Sequence, residues 1–428
     1  MRVDLLYGKG TLPLDLPDAW DVTVIEKAAM PTLSDPAGAV TEALARPIGA
    51  PPLADSAVGA KTACILICDV TRPVPNGLLL PPLVRTLLDA GVPAEGITVL
   101  IATGLHRPNL GEERVEVVGD RWVLDTVRVE NHDALDDDAH VDLGPTATGT
   151  PVRLDRRFVE ADIRIATGLV EPHFMAGWSG GRKVIAPGVA HKDTITTFHN
   201  HRFMSHPRAV NCVLDGNPLH REQLAIVEKV GGALALNVVI DDRRRPCAVT
   251  YGEIVASHLA AVDFVRDYAT VPVPRRFRTV VTSAAGYPLD KTYYQTVKGM
   301  VGPLDILENG GDLIIASECS EGMGSPAYVE AQRRLLSKGV DGFLEDIARK
   351  DFADIDEWQT QMQTRTMRRG RIHLHAPALR DGLALTGVAR APDLAAAVRA
   401  SVARSGDRAV AVVPEGPYVI PVLAEDAA

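Results

Sequence analysis

Three unbroken apolar runs constrain this chain more than any other feature: Ala63–Val70 (ACILICDV), Gly96–Thr103 (GITVLIAT) and Ile163–Val170 (IRIATGLV). Runs of this length, bounded by Gly and Pro, predict buried strands. Between the first two, Leu78–Ala90 carries apolar residues at helical spacing, so the segment predicts a βαβ unit and a largely parallel sheet. Each run is followed at once by a polar motif: Thr71-Arg72-Pro73-Val74-Pro75-Asn76, Gly104-Leu105-His106-Arg107-Pro108 and Glu171-Pro172-His173. The carboxyl ends of parallel strands converge on one sheet edge, where open α/β folds place their ligands. The three motifs are therefore expected to meet.

At 428 residues the chain exceeds the size at which one core stops growing, so two domains are expected. The alternation continues with a helix over 219–230, a strand over 233–240 and a helix over 254–268. The stretch ATVPVPRRFR, 269–278, then reads as a linker. A second α/β unit begins beyond it, with strands at 279–285, 312–317, 371–376 and 409–414 and helices at 293–307, 326–349 and 392–404. The expected fold is two α/β domains with mainly parallel sheets and an active-site cleft between them. The first, residues 1–270, would bind a cofactor, and the second, 271–405, would cap a substrate; the segment at about 406–428 is free to return to the first domain.

Composition narrows the function classes. With 46% hydrophobic and 23% charged residues the chain is globular, and no apolar run reaches the roughly 18 residues of a membrane helix. The opening MRVDLLYGKG lacks the apolar core of a signal peptide, so the cytoplasm is the expected compartment. A net charge of −10 without a sustained basic stretch argues against nucleic acid as a partner, and Arg243–Arg245 reads as a solvated turn. The five cysteines form no metal-type pattern and read as buried thiols.

Titratable residues concentrate in the segment 167–199. Gly180 and Gly181 would let backbone approach an anion, with Arg182 and Lys183 beside them. GWSGGRKV nevertheless lacks the G-K-[ST] ending of a nucleotide-binding P-loop. His106 and His173, each after a strand, could be core residues singly; together they suggest two facing acid/base groups. His199, in Phe198-His199-Asn200-His201, could be a surface residue or a metal ligand needing donors from elsewhere. Arg72 could grip a carboxylate or phosphate, or merely pair with Asp69. Tyr294, Gln295 and Lys298 lie near each other at a helix start, which suits an anionic substrate or simply a solvated face.

Four of these motifs, DVTRPVP (69–75), TGLHRP (103–108), EPHFMAGWSGGRKVIAPG (171–188) and DKTYYQTVKGM (290–300), occur in order along the chain. Together they resemble the nickel-dependent lactate racemase family, whose enzymes use a nickel-pincer nucleotide. The resemblance implies that Lys183 carries this cofactor as a thioamide and that His199 ligates nickel, with His201 as the alternative in a shifted register. It implies His106 and His173 as acid/base residues, and Arg72, Tyr294, Gln295, Lys298 and Trp358 as substrate contacts. Asp69, Thr71 and the backbone of Gly177–Gly181 would meet the cofactor and its phosphate. The implied reaction inverts C2 of a small 2-hydroxy acid through a 2-keto acid, with longer sugar-type acids as the alternative substrates, and enzymes that build the cofactor would be partners. Outside the family, a metal hydrolase using His106, His173 and His199 remains as a competing expectation.

Overall fold

Five parallel strands and one antiparallel edge strand make the first sheet. Its order is Pro246–Glu253, Leu234–Ile240, Ile163–Leu169, Ala63–Cys68, Ile97–Ala102 and Arg128–Asn131, in a computed structural model that describes residues 1–424. Alternate side chains explain why the strands read as unbroken apolar runs. Ile65 and Ile67 pack under the helix Asn76–Asp89 with Leu79, Leu83 and Val84, while Cys64 and Leu66 face the opposite core with Val184 and Ile185. Both faces are covered, so neither can be polar. Truncating fully buried Leu66 or Leu100 to Ala would cost about 2–5 kcal/mol.

The chain runs outward from Ala63–Cys68 to its neighbours on one side, then returns to lay Ile163–Leu169 on the other side. The point where the order reverses therefore lies between these two strands, and a crevice opens at their carboxyl ends. That crevice holds the motifs Asp69–Arg72 and Glu171–His173.

The second sheet has six strands, all paired in parallel: Ala389–Arg390, Gly370–His375, Leu307–Ala316, Phe277–Ser283, Ala409–Val413 and Asp21–Val24. The final strand, which could have packed on either domain, sits inside this sheet, and residues 21–24 join it from the far end of the chain. The supposed linker is partly a strand. Thr270–Val273 pairs with Ile420–Leu423, because backbone groups running along the domain junction need partners there and the tail supplies them. Residues 425–428 of the expected tail lie outside the described residues.

The helix expected over 293–307 ends at Val301, where Gly302-Pro303 stops it. A helix at Glu357–Arg369 carries no apolar stripe, although most of it is buried. Its polar side chains are held internally: Gln363 donates to Thr386 O, Thr366 to Met300 O, and Arg365 to Ala209 O. With its hydrogen bonds satisfied by neighbouring backbone, a buried helix does not need the amphipathic pattern by which helices are found in sequence.

Candidate active site

Three strands of the first sheet hand residues to the crevice through tight turns. After Cys68, one oxygen of Asp69 accepts from the Thr71 backbone (3.1 Å) and hydroxyl (2.6 Å), closing the turn. Its other oxygen faces Nδ1 of His106 at 2.6 Å. Burial raises the pKa of Asp69, but the His106 charge and hydrogen bond, the Thr71 hydroxyl and the Arg72 charge outweigh it and hold the carboxyl below its usual range. After Ala102, the turn carrying His106 is pinned where Gly104 N donates to Gly188 O (2.9 Å) and His106 N to Thr103 O (2.9 Å).

After Leu169, Ser179 N donates to Glu171 O and the Glu171 N–H donates to the Ser179 hydroxyl, folding Pro172–His173 against Gly177–Trp178 as a two-residue ladder. His173 is buried in this ladder, and its Nδ1 accepts from Ala176 N (3.2 Å). Burial, and then the charges of Lys183, Arg72 and Lys298, push its pKa well below the usual value. Lys183 follows on the one-turn helix Arg182–Ile185. Burial first, then Arg72, lowers its amine to about 7. His199 caps the carboxyl end of Lys192–Phe198 and packs its ring 5.0 Å from Trp358. Its Nδ1 bonds Ile195 O at 2.9 Å, which leaves Nε2 as the open nitrogen.

The second domain supplies the facing wall. Thr292 caps the helix Tyr293–Val301, so Tyr294, Gln295 and Lys298 fall along one side of it and line the same space. Burial drives the Lys298 amine down, with Arg72 and Lys183 adding to the effect. Trp358 Nε1 donates to the Tyr294 hydroxyl at 3.2 Å. The Gln295 side-chain oxygen is buried without a partner among the described residues, the signature of an acceptor kept for a ligand.

These elements enclose a cavity of about 140 Å³ lined from one domain by His106, His173, Lys183 and His199, with Asp69, Thr71, Arg72, Ser179 and Gly180, and from the other by Tyr294, Gln295, Lys298 and Trp358. A chamber of about 400 Å³ adjoins it, sharing Asp69, Thr71, His106, Tyr294 and Gln295. A larger space of about 690 Å³ lies behind Glu171 and contains none of the histidines or Lys183. Chemistry, not volume, identifies the site.

Some expected residues are elsewhere. His201 bonds Gln361 and lines a separate surface pocket, so His199 alone of the pair faces the cavity. Gly177 and Gly181 lie outside the lining. The Gly181 amide is not free for an anion, since it donates to Asn237 at 3.0 Å. Its glycine identity has a packing cause: φ is +48°, and a Cβ would meet the His258 Cβ at 3.0 Å and its ring at 3.2 Å. Arg182 also turns away from the cavity, to His220, His258 and the carbonyls of Ala176 and Trp178. Arg72 pairs with Glu171 rather than Asp69. Cys68, expected only as a buried thiol, lines the cavity beside them.

Three contributors had no assigned role in the sequence: Glu171, Gln359 and Asp356. Glu171 stood inside a recognised motif. Asp356 gave no signal, because its distinction is conformational: a buried carboxylate at φ +64° that receives a hydrogen bond from Ser325 and lines both the cavity and the adjoining chamber. Such backbone outliers concentrate at functional sites.

The fold is thus that of a two-domain α/β protein, with the candidate site at the sheet switch point and the second domain facing it. The family models described as "Lactate racemase N-terminal domain" and "Lactate racemase C-terminal domain" match residues 7–211 and 275–421. The chain is 34% identical over 379 residues to a lactate racemase of Thermoanaerobacterium thermosaccharolyticum, covering 86% of each chain. It is 30% identical to a lactate racemase of Lactiplantibacillus plantarum, covering 98% of this chain and 99% of that one. The lactate racemase apoprotein structure from T. thermosaccharolyticum superposes with a TM-score of 0.89 at 30% identity, over 98% of this chain and 100% of that chain. A Thermotoga maritima structure at 19% identity and a TM-score of 0.69, covering 91% of this chain and 99% of that one, shares the fold. The chain belongs to the lactate racemase family, and it is an isomerase. Among the described residues no helix is long and apolar enough to cross a membrane.

Proposed function

We propose that this chain racemises a small, lactate-like 2-hydroxy acid using a nickel-pincer nucleotide attached at Lys183. The observation that carries the proposal is the convergence of a buried amine, three histidines and two further cations, Arg72 and Lys298, on one cavity. The residues fit the group. Among the described residues the Lys183 amine has no ion-pair or hydrogen-bond partner, and its lowered pKa favours the neutral form that a covalent attachment requires. His199 offers one open nitrogen. Among the described residues no three His, Cys, Asp or Glu side chains come together to hold a metal ion, which suits a metal that arrives with donors of its own and disfavours the hydrolase alternative.

When bound, this group supplies an acceptor for the C2 hydrogen with its electron pair, a route that avoids a carbanion next to a carboxylate. The chain does the rest. Arg72 and Lys298 attract the carboxylate, and Gln295 offers its unpartnered oxygen. Asp69 accepts the Nδ1 proton of His106, which leaves the Nε2 lone pair to take the hydroxyl proton and stabilises the imidazolium that results. His173 is held oppositely: with Nδ1 accepting from Ala176, the neutral ring carries its proton on Nε2 and can donate toward a carbonyl oxygen. A planar 2-keto acid turning about its carboxylate anchor would offer its second face; return of the hydrogen with its electron pair there, with the proton held by the His106 imidazolium going back to the oxygen, would invert the centre. The expected test is isotopic: enantiopure lactate deuterated at C2 gives inverted product that keeps its deuterium in ordinary water. Solvent hydrogen at C2 from the first turnover would sink the scheme.

One observation favours a second substrate class. The 400 Å³ chamber beyond His106 and Tyr294, lined by Thr71, Asn109, Thr292 and Ser325, has room and polar groups for a longer hydroxylated chain. Comparing kcat/KM for lactate and for sugar-type 2-hydroxy acids separates the two.

A further inference from the structure

The cavity gathers three side chains that carry or can carry positive charge, Arg72, Lys183 and Lys298, within one small volume. The carboxylates around them are mostly engaged. Asp69 is held by His106 and Thr71, and Asp356 by Ser325 and Tyr294. Among the described residues Glu171 alone pairs with one of the three, through Nη1 of Arg72.

The placement of this pair is directional. Arg72 lines the catalytic cavity, whereas Glu171 stands outside that lining and borders the 690 Å³ space; the two meet at a small gap that His173 and Lys298 also line. It therefore grips the guanidinium from behind. One terminal nitrogen is engaged, and the remaining N–H groups of the planar fork are left for the cavity. Glu171 is itself fixed: its N–H donates to the Ser179 hydroxyl (3.1 Å), and its carbonyl accepts from Ser179 N (3.0 Å). Both partners are well buried, with side-chain exposures of 15% for Arg72 and 10% for Glu171. Without this anchor the guanidinium would lose the charge-assisted bond that fixes its direction, taking the fork off its target.

Resting on the racemase reading above, we propose that Glu171 is a positioning residue that aims Arg72 at the substrate carboxylate, and so governs how tightly the acid binds.

Two probes test it: L-lactate turnover by the cofactor-loaded enzyme, and calorimetric binding of propionate, which keeps the carboxylate but has no hydroxyl to react. Glu171→Gln weakens a charge-assisted bond while preserving shape, so lactate KM and propionate Kd should both rise about tenfold. The kcat should stay within about twofold, because the acid/base groups are untouched. Intact mass should show the same Lys183 adduct as the parent, a readout that a merely structural defect would move. Glu171→Asp, which keeps the charge, should recover part of the loss. Unchanged or tighter binding in Glu171→Gln overturns the proposal. So does a fall in kcat at unchanged KM, which would mean that Glu171 acts through neighbouring His173. If the parent enzyme racemises no hydroxy acid, the functional reading fails, yet the propionate arm still decides whether Glu171 aims Arg72.

Discussion

The two walls of the cavity differ in how they are built. The first domain delivers its residues from turns at strand ends: Asp69–Arg72, Thr103–His106 and Glu171–His173 sit at the edge of one sheet, and each turn is pinned by backbone hydrogen bonds. The second domain delivers Tyr294, Gln295 and Lys298 from a helix, and Trp358 from a polar helix that follows the strained Asp356. In the function proposed above, the first wall would carry the groups that move protons or hold a cofactor, and the second those that orient a substrate. The difference teaches that rigid strand-end turns hold chemistry in place, while a capping domain can approach an occupied site and complete it.

The largest effect expected from this division is at Lys183. Lys183→Ala should abolish the cofactor-sized mass increase and all racemisation while leaving the fold intact, and an adduct that persisted would break the assignment. His199→Ala should keep organic adduct but lose nickel by metal analysis, whereas His201→Ala should keep both, since His201 does not face the cavity. Nickel retained in the first variant and lost in the second would exchange their roles.

His106→Asn should lower racemisation by about 10²–10⁴-fold, the usual contribution of a positioned proton-transfer group. The second wall should respond less. Lys298→Met is expected to raise lactate KM about tenfold through the loss of one charged contact, with the Lys183 adduct unchanged. If it instead removed the adduct, the separation between a chemical wall and an orienting wall would be lost.

A pH measurement sharpens the comparison further. Burial and then Arg72 bring the amine of Lys183 to about 7 in the unloaded protein. A depressed pKa means that the neutral, reactive amine dominates above that value. Trace acetylation of Lys183 should therefore rise to a plateau between about pH 6 and 8, while exposed lysines continue to gain reactivity toward about pH 10. Acetylation of Lys183 that kept climbing with the surface lysines would show that the charges around it are arranged differently.

Much of the first wall was legible in the sequence, because buried parallel strands must be apolar throughout and the polar residues that follow them must lie at one edge. Less of the second was legible. The helix Glu357–Arg369 gave no periodic signal, since its buried glutamines and threonines bond to surrounding backbone instead of facing water. The stretch at 269–278 looked like a linker, and only the tail strand Ile420–Leu423 makes Thr270–Val273 a strand.

What the sequence by itself determined is the local chemistry: strand, turn and the kind of residue at each strand end. The direction of individual side chains belonged to the tertiary structure. Arg182 and Lys183 are adjacent and both basic, yet Arg182 points into a nest of histidines and carbonyls while Lys183 lines the cavity. His199 and His201 are two positions apart, and only His199 faces inward. Arg72 has Asp69 three residues before it but pairs with Glu171, ninety-nine residues away. Spacing limits which residues can be neighbours along the chain. Which charge meets which is fixed only when two strands lie side by side, because a buried ion pair requires both partners to be placed by the fold before either can leave water.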